Sequence, residues 1–256
     1  MPGSAPADPT GLVSALARRY DLPDRGTVQL VSLLRLLLSD PFAPTAVRDP
    51  RKALNDHLAD ALVALELQPI RAASSIADLG TGPGIPGLPL AIALPSAYVW
   101  LVESSARRCA FLRRAVEACG VGNAAVVHSR AESWRAGRCR FDVVTARALG
   151  PLAVVEEYAA PLLRIGGLLA VWRGRRDPDS ERSGARAAVE LGLDLAEPKP
   201  VQPYEGARHR HLQLALKVKE TPAGFPRREG LARKRPLGEQ PAPARSRDQR
   251  SDRGRR

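Results

Sequence analysis

The stretch "ADLGTGPGIPGLPL", residues 77–90, has the residue types of a ligand-binding loop. An apolar segment ends at Leu79, the acidic Asp78 precedes the loop, and four glycines follow: Gly80, Gly82, Gly84 and Gly87. Glycine permits positive φ and a close approach to the backbone, whereas proline limits the freedom of the loop. Open α/β sheets bind ligands at the carboxyl ends of their strands. The stretch therefore predicts a compact ligand against this backbone.

Two ligand classes fit the spacing. Counted from Gly82, the letters match G-x-G-x-x-G, and Glu103 lies nineteen residues after Gly84, as in sites that bind NAD and related dinucleotides. Counted from Asp78, the same letters give D-x-G-x-G-x-G, a pattern of S-adenosylmethionine sites, in which the second acid binds the ribose. Pro86 counts against a dinucleotide, because it lies where a helix would present free N–H groups to a pyrophosphate. The spacing favours the methyl donor and leaves both classes open.

Two more loops should lie at the same edge of the sheet. Ala131 and Glu132 follow the third predicted strand in "SRAESW", where they would flank an adenine. Arg147 follows the fourth strand in "ARALGP", and charges are rarely left at the end of a buried strand. We expect Arg147 to face ligand or substrate, with an ion pair to a local carboxylate as the alternative. The three cysteines have no CxxC spacing, so we expect no metal site.

These loops need a doubly wound α/β sheet to position them. Short apolar runs predict strands at "SIADL", "YVWLV", "AAVVH", "FDVVTA" and "GLLAVW", a sixth strand within 193–201, and a seventh, "HLQLALKV", at the edge. Helices are predicted between them at 86–94, 105–118, 151–164 and 180–191. The fold class is therefore α/β, with about seven strands and helices on both faces.

The charge predicts a polyanionic partner. The net charge is +12, and residues 227–256 alone contain eleven Lys or Arg against four Asp or Glu. Such a segment attracts nucleic acid through counterion release, although a merely solubilising tail is the alternative. The chain shows neither a secretory signal nor an apolar run that could span a membrane, so we expect a cytoplasmic protein with no membrane partner.

Several motifs together resemble one family. The run from Ile76 to Arg114, with "VVHSRAESW" and "FDVVTARAL", is similar to the GidB-type (RsmG) 16S ribosomal RNA guanine-N7 methyltransferases. "TAVRDPRKALNDHLADALVAL" resembles the N-terminal segment of that family and "FPRREGLARKRPL" its C-terminal motif, so the likeness spans about residues 45–237. The resemblance implies a Rossmann-like class I methyltransferase sheet and transfer of a methyl group from S-adenosylmethionine to N7 of a guanine in 16S rRNA.

The resemblance also implies roles for single residues. Around S-adenosylmethionine it places Asp78, Gly80, Gly82, Gly84, Ile85, Glu103, Ala131, Glu132 and Arg147. Around the RNA it places Arg48, His57, Arg227, Arg228 and Lys234. N7 of guanine carries a free lone pair, so no general base is required and catalysis comes from alignment of the reactants. No catalytic residue is therefore expected, unless Arg147 takes part by approaching the target.

The chain divides into three predicted parts. Residues 1–73 form an N-terminal helical cap, 74–237 the methyltransferase domain, and 238–256 a disordered basic tail without large apolar residues. We expect a monomer that acts on 16S rRNA or on the small ribosomal subunit. Two other functions stay open at this point: an NAD-dependent oxidoreductase with the same glycine loop, and a non-enzymatic basic RNA-binding protein.

Overall fold

A computed structural model describes residues 9–238 of the protein. The predicted disordered tail, apart from Gly238, lies outside the described residues. No helix within the described range is long and apolar enough to cross a membrane.

One mixed sheet forms the centre of the molecule, in the order β3-β2-β1-β4-β5-β8-β6, with the two-residue β7 paired to β8. Strands β1 to β5 are parallel, and β8 runs antiparallel to its neighbours. The strands are β1 Ser75–Leu79, β2 Tyr98–Glu103, β3 Ala124–His128, β4 Phe141–Arg147, β5 Leu163–Arg173, β6 Leu193–Leu195, β7 Lys199–Pro200 and β8 His211–Lys217. The α/β prediction with about seven main strands is confirmed.

Two details of the prediction are wrong. The last strand, β8, is not at the edge but between β5 and β6. It fits there because Leu212 packs in the core on one face of the sheet and Ala215 in the core on the other. The helix predicted at 151–164 ends at Ala159, because β5 begins at Leu163, ahead of the predicted "GLLAVW".

Helices cover both faces of the sheet. They are α1 Pro9–Tyr20, α2 Asp24–Ser39, α3 Pro50–Ala53, α4 Asp60–Leu62, α5 Gln68–Arg71, α6 Gly87–Ala93, α7 Ala106–Ala118, α8 Leu152–Ala159, α9 Pro178–Leu191 and α10 Leu231–Lys234. A π-helical stretch, Leu54–Ala59, joins α3 to α4, and a 3₁₀ turn, Val63–Glu66, follows. Residues 50–66 are thus almost continuously helical, as the apolar spacing predicts.

Apolar side chains on the two faces of the sheet form two hydrophobic cores. In β1, Ile76 packs with the N-terminal helices, α6 and α7, whereas Ala77 packs with α8 and α9. In β4, Val143 and Val144 divide in the same way. Successive strand residues point to opposite faces, so two adjacent apolar residues serve both layers. The N-terminal helices share their core with the sheet, and the predicted boundary at residue 73 stays a prediction.

Candidate functional site

Asp78 organises the glycine loop, residues 80–87, from within the protein. Its side chain is fully buried. Oδ2 accepts hydrogen bonds from Thr81 Oγ1 at 2.5 Å and from Gly87 N at 2.9 Å, and Oδ1 accepts one from Thr145 Oγ1 at 2.9 Å. Burial raises the pKa of Asp78 to about 6. With no exposed surface, Asp78 holds the loop in place instead of making the predicted contact with a ligand.

Glycine is required at the four positions of the loop for different structural reasons. Gly80, Gly82 and Gly84 have φ of +60°, +58° and +88°, values that side chains rarely adopt. Gly87 is needed for packing, since a Cβ there would lie 2.9 Å from Asp78 Oδ2. At Gly82 a Cβ would meet only the Gly80 oxygen, 3.8 Å away. Gly82 is nevertheless buried, whereas Gly80 is partly exposed and lines a cavity, so Gly80 is the glycine of this loop at which a ligand can approach.

Glu103 closes the opposite side of this loop from the end of β2. Its Oε2 accepts a hydrogen bond from Gly82 N at 3.3 Å, and Oε1 accepts one from Ser105 N at 2.9 Å. Arg108 Nη1 lies 3.5 Å from Oε2. The carboxylate is thus held, almost fully buried, between the glycine loop and the first turn of α7, and its contact with a ribose stays a prediction.

A cavity of about 250 Å³ lies beside the loop, and we call it the glycine-loop cavity. Its lining residues come from five segments of the chain and include Gly80, Ala131, Glu132, Leu149, Tyr158 and Arg233. The structure thus brings together the predicted Gly80, Ala131 and Glu132. The side chain of the predicted Ile85 is buried in the core, so any contact it makes with a ligand would be through its backbone.

Sequence reasoning missed Tyr158 and Arg233 in this cavity. The Tyr158 hydroxyl is buried without a hydrogen-bond partner in the described part of the chain. Arg233 Nη2 donates to the Leu149 carbonyl at 2.9 Å, and Glu132 Oε1 accepts from Gly230 N at 3.2 Å. The only signal for Arg233 was its place in "FPRREGLARKRPL". Tyr158 lies on α8, whose residues are all buried, and no motif marked it.

Arg147 forms an ion pair with a nearby carboxylate, that of Asp60, which was the alternative to a contact with ligand or substrate. Its Nη1 donates to Asp60 Oδ2 at 3.0 Å and to the Asp56 carbonyl at 2.5 Å, and its Nη2 lies 3.5 Å from His57 Nδ1. These residues line a second cavity of about 370 Å³, the Arg147 cavity, together with Trp172. Arg147 therefore lies outside the glycine-loop cavity, among residues of the N-terminal helices.

The Arg147 cavity contains two carboxylates and a neutral imidazole. Burial raises the pKa of Asp60, although Arg147 and Arg210 act against this shift. Burial, with the nearby Arg147 guanidinium, lowers the pKa of His57 to about 4. Asp56 Oδ1 accepts a hydrogen bond from Tyr204 at 2.9 Å. The cavity thus combines hydrogen-bond acceptors with negative charge held by arginines.

The predicted RNA contacts divide into two groups. His57 is buried, and its Nε2 lies 2.9 Å from Thr45 Oγ1. Arg227 donates through Nε and Nη2 to the buried Glu157 at 2.9 and 2.5 Å. Neither side chain lies free on the surface, and their predicted contacts with RNA stay predictions. The side chains of Arg48, Arg228 and Lys234 are exposed.

Comparisons with known proteins decide the family. The profile of the GidB family, described as rRNA small subunit methyltransferase G, matches residues 31–198. The chain belongs to this family. A relative from Rubrobacter xylanophilus named ribosomal RNA small subunit methyltransferase G is 40% identical over 74% of this chain and 75% of its own. Another of that name, from Stenotrophomonas maltophilia strain K279a, is 49% identical over 66% of this chain and 75% of its own.

Solved structures agree on the fold. An S-adenosylmethionine-dependent O-methyltransferase from Thermotoga maritima matches 74% of this chain and 72% of its own at 16% identity, with a TM-score of 0.52. A methyltransferase in complex with the Trm112 activator from Haloferax volcanii matches 73% of this chain and 98% of its own at 12% identity, with a TM-score of 0.55. The sheet is therefore that of a class I methyltransferase.

The predicted activity is confirmed at the level of the family. As a member of it, the protein is a small-subunit rRNA methyltransferase that uses S-adenosylmethionine and forms 7-methylguanosine in 16S rRNA. Membership of this family argues against the two alternative functions, a dinucleotide-dependent oxidoreductase and a non-enzymatic RNA-binding protein. The geometry also argues against a dinucleotide, because the Gly87 amide at the start of α6 is bonded to Asp78 and cannot serve a pyrophosphate.

Proposed function

We propose that the glycine-loop cavity holds S-adenosylmethionine and that the Arg147 cavity receives the guanine of 16S rRNA. The observation that carries this proposal is the end of β4. Leu149 lines the glycine-loop cavity, whereas Arg147 and Ala148 line the Arg147 cavity. The two cavities therefore lie on either side of three consecutive residues. A methyl group can pass between two ligands only where their sites adjoin.

The residues of the glycine-loop cavity fit a nucleoside with a charged tail. Gly80 is partly exposed and lines the cavity, and the Glu103 carboxylate accepts from Gly82 N a hydrogen bond that ribose hydroxyls can replace. Ala131 leaves room for a flat base, and the unpartnered Tyr158 hydroxyl can bind a polar group. When bound, S-adenosylmethionine supplies a methyl group on a positively charged sulfur, which departs as a neutral thioether.

The Arg147 cavity fits the needs of guanine N7. N7 attacks through its lone pair, so the protein need not remove a proton. His57, whose pKa is lowered to about 4, is uncharged near neutral pH and adds no positive charge beside the base. The methylated base is cationic, and Asp60 and Asp56 supply the negative charge that stabilises it. Arg147 holds Asp60 in place through its hydrogen bond to Oδ2. We therefore assign Arg147 a positioning role.

Substitutions in each cavity test the assignment. Glu103→Ala should raise the Kd of S-adenosylmethionine at least tenfold by calorimetry, because it removes the ribose acceptor. Asp60→Asn should leave that Kd unchanged and lower the single-turnover rate of methyl transfer to unmodified 16S rRNA about tenfold, or roughly 1.4 kcal/mol. Asp194→Asn, an exposed carboxylate on β6, is the matched control and should change neither quantity. A normal rate in Asp60→Asn would refute the guanine assignment.

Three finer statements complete the proposal. We infer that the protein acts as a monomer, because residues of one chain line both cavities, and light scattering of the purified protein tests this. The predicted exposed RNA contacts Arg48, Arg228 and Lys234 are kept as positions that touch rRNA near the site. Because small-subunit rRNA is the substrate, the cytoplasm is the expected location, and cell fractionation tests it.

A further inference from the structure

The Arg147 cavity is the middle part of a longer furrow. It shares Arg173 with a depression at the start of α9, and it shares Gly174 and Arg210 with another depression beside residues 200–211. Cavities that share wall residues adjoin one another. We call the three together the furrow, and it runs along the carboxyl ends of β4 and β5.

Two loops form the walls of this furrow. Arg173, the last residue of β5, pairs with His211, the first residue of β8, so the loops 174–177 and 203–210 leave the sheet side by side. A Cβ on Gly174 would lie 4.0 Å from the His209 carbonyl oxygen, which shows how closely the loops pass. Their sequences, "GRRD" and "PYEGARHR", contain four arginines.

The ion pairs of these arginines differ. Arg176 is paired with Glu181, and Arg210 lies 3.4 Å from Asp60. Arg175 and Arg208 are exposed and form no ion pair with any residue between 9 and 238. Arg173, at the junction of two of the depressions, donates to the Ser180 hydroxyl at 3.0 Å and also has no carboxylate partner in that range. Three guanidinium groups are thus available for external anions: Arg173 lines the furrow, and Arg175 and Arg208 lie on the two loops that border it.

From this arrangement we infer that the furrow binds the phosphates of the RNA strand that carries the target guanine, through Arg173, Arg175 and Arg208. This inference rests on the proposed function in one respect. If the target guanine lies in the Arg147 cavity, the RNA strand on either side of it must run along the furrow. Guanidinium groups suit phosphates since they donate two parallel hydrogen bonds. None of these arginines lies in the basic C-terminal region that the sequence pointed to.

Replacing charged arginines by glutamine tests this surface through RNA affinity, without a measurement of activity. The variant is Arg175→Gln with Arg208→Gln. Its matched control is Arg25→Gln with Arg113→Gln, two exposed arginines on α2 and α7 that form no ion pair within residues 9–238. The Kd for an unmodified 16S rRNA transcript is measured over a range of KCl concentrations. We expect about tenfold weaker binding in the furrow variant and a log–log salt slope smaller by about 1.4, for two single-strand phosphate contacts.

The outcomes separate the two proposals. Equal RNA affinity and salt slope in the furrow variant and the wild type, or an equal loss in the control, would overturn the furrow. A loss seen with assembled subunits but not with the naked transcript would point to a ribosomal protein and would also overturn it. The Kd of S-adenosylmethionine should stay unchanged. If Asp60→Asn transfers methyl groups normally while the furrow variant still loses RNA, the guanine assignment fails and the furrow stands.

Discussion

Two ion pairs hold the C-terminal segment, residues 225–237, against the site, and the buried pair of Glu157 with Arg227 should stabilise it more than the exposed pair of Arg130 with Glu229. Glu157 on α8 has 1% of its side chain exposed and accepts hydrogen bonds from Arg227 N at 3.0 Å, Nε at 2.9 Å and Nη2 at 2.5 Å. Beyond this anchor, Gly230 contacts Glu132 and Arg233 contacts Leu149. Glu157→Ala should therefore loosen the wall of the glycine-loop cavity that Arg233 forms.

The size of the effect follows from the burial of the pair. Removing one partner of a buried ion pair costs about 3–5 kcal/mol. The Arg227 side chain is 22% exposed, so water stabilises it in part after the loss, and we expect about 2–3 kcal/mol. For a protein of this size that is a fall in Tm of roughly 4–12 °C. The Kd of S-adenosylmethionine should rise about tenfold, or roughly 1.4 kcal/mol, because Arg233 no longer closes the cavity.

Thermal unfolding by circular dichroism and calorimetric titration with S-adenosylmethionine measure the two effects. Glu117→Ala, an exposed glutamate on α7, is the control and should shift unfolding by less than about 0.5 kcal/mol. Adding Arg227→Ala to Glu157→Ala should cost little more than Glu157→Ala alone, because both remove the same contact. An unchanged Tm and Kd in Glu157→Ala, or fully additive losses in the double variant, would refute the reasoning.

Three further outcomes are expected. Gly87→Ala should lower the unfolding free energy by about 1–3 kcal/mol, since its Cβ would lie 2.4 Å from Leu101, as chemical denaturation would show. Burial raises the pKa of the unpartnered Glu156 well above its ordinary value, so the native state holds a proton that the unfolded state loses and stability falls as pH rises above about 4.5. Glu156→Gln should remove this fall and unfold at a higher temperature than the wild type at pH 8, with little difference at pH 4. Deleting 239–256, which carries six arginines and three acids, should weaken rRNA binding and its salt dependence without changing the donor Kd, and filter binding checks this.

Local patterns sufficed for the strands and for the glycine loop. β1 matches its predicted bounds because the apolar run ends where the glycines begin, and both signals are local. The place of β8 could not be predicted, since pairing order depends on which partners a strand meets after folding. The same holds for Arg227, whose partner Glu157 lies seventy residues away in the chain. Neither contact leaves a signature in the sequence near either residue.

By itself the sequence determined the fold class, the family and the position of the glycine loop, because these depend on residue types at short, fixed spacings. The tertiary structure decided what each charged side chain does. It turned Asp78 from a ligand contact into a support of the loop and placed His57 inside a cavity. It also paired Arg147 with Asp60 and left Arg175 and Arg208 without acidic partners among residues 9–238. The physical reason is that the effect of a charge depends on its burial and its partners, which distant segments provide only when the chain has folded.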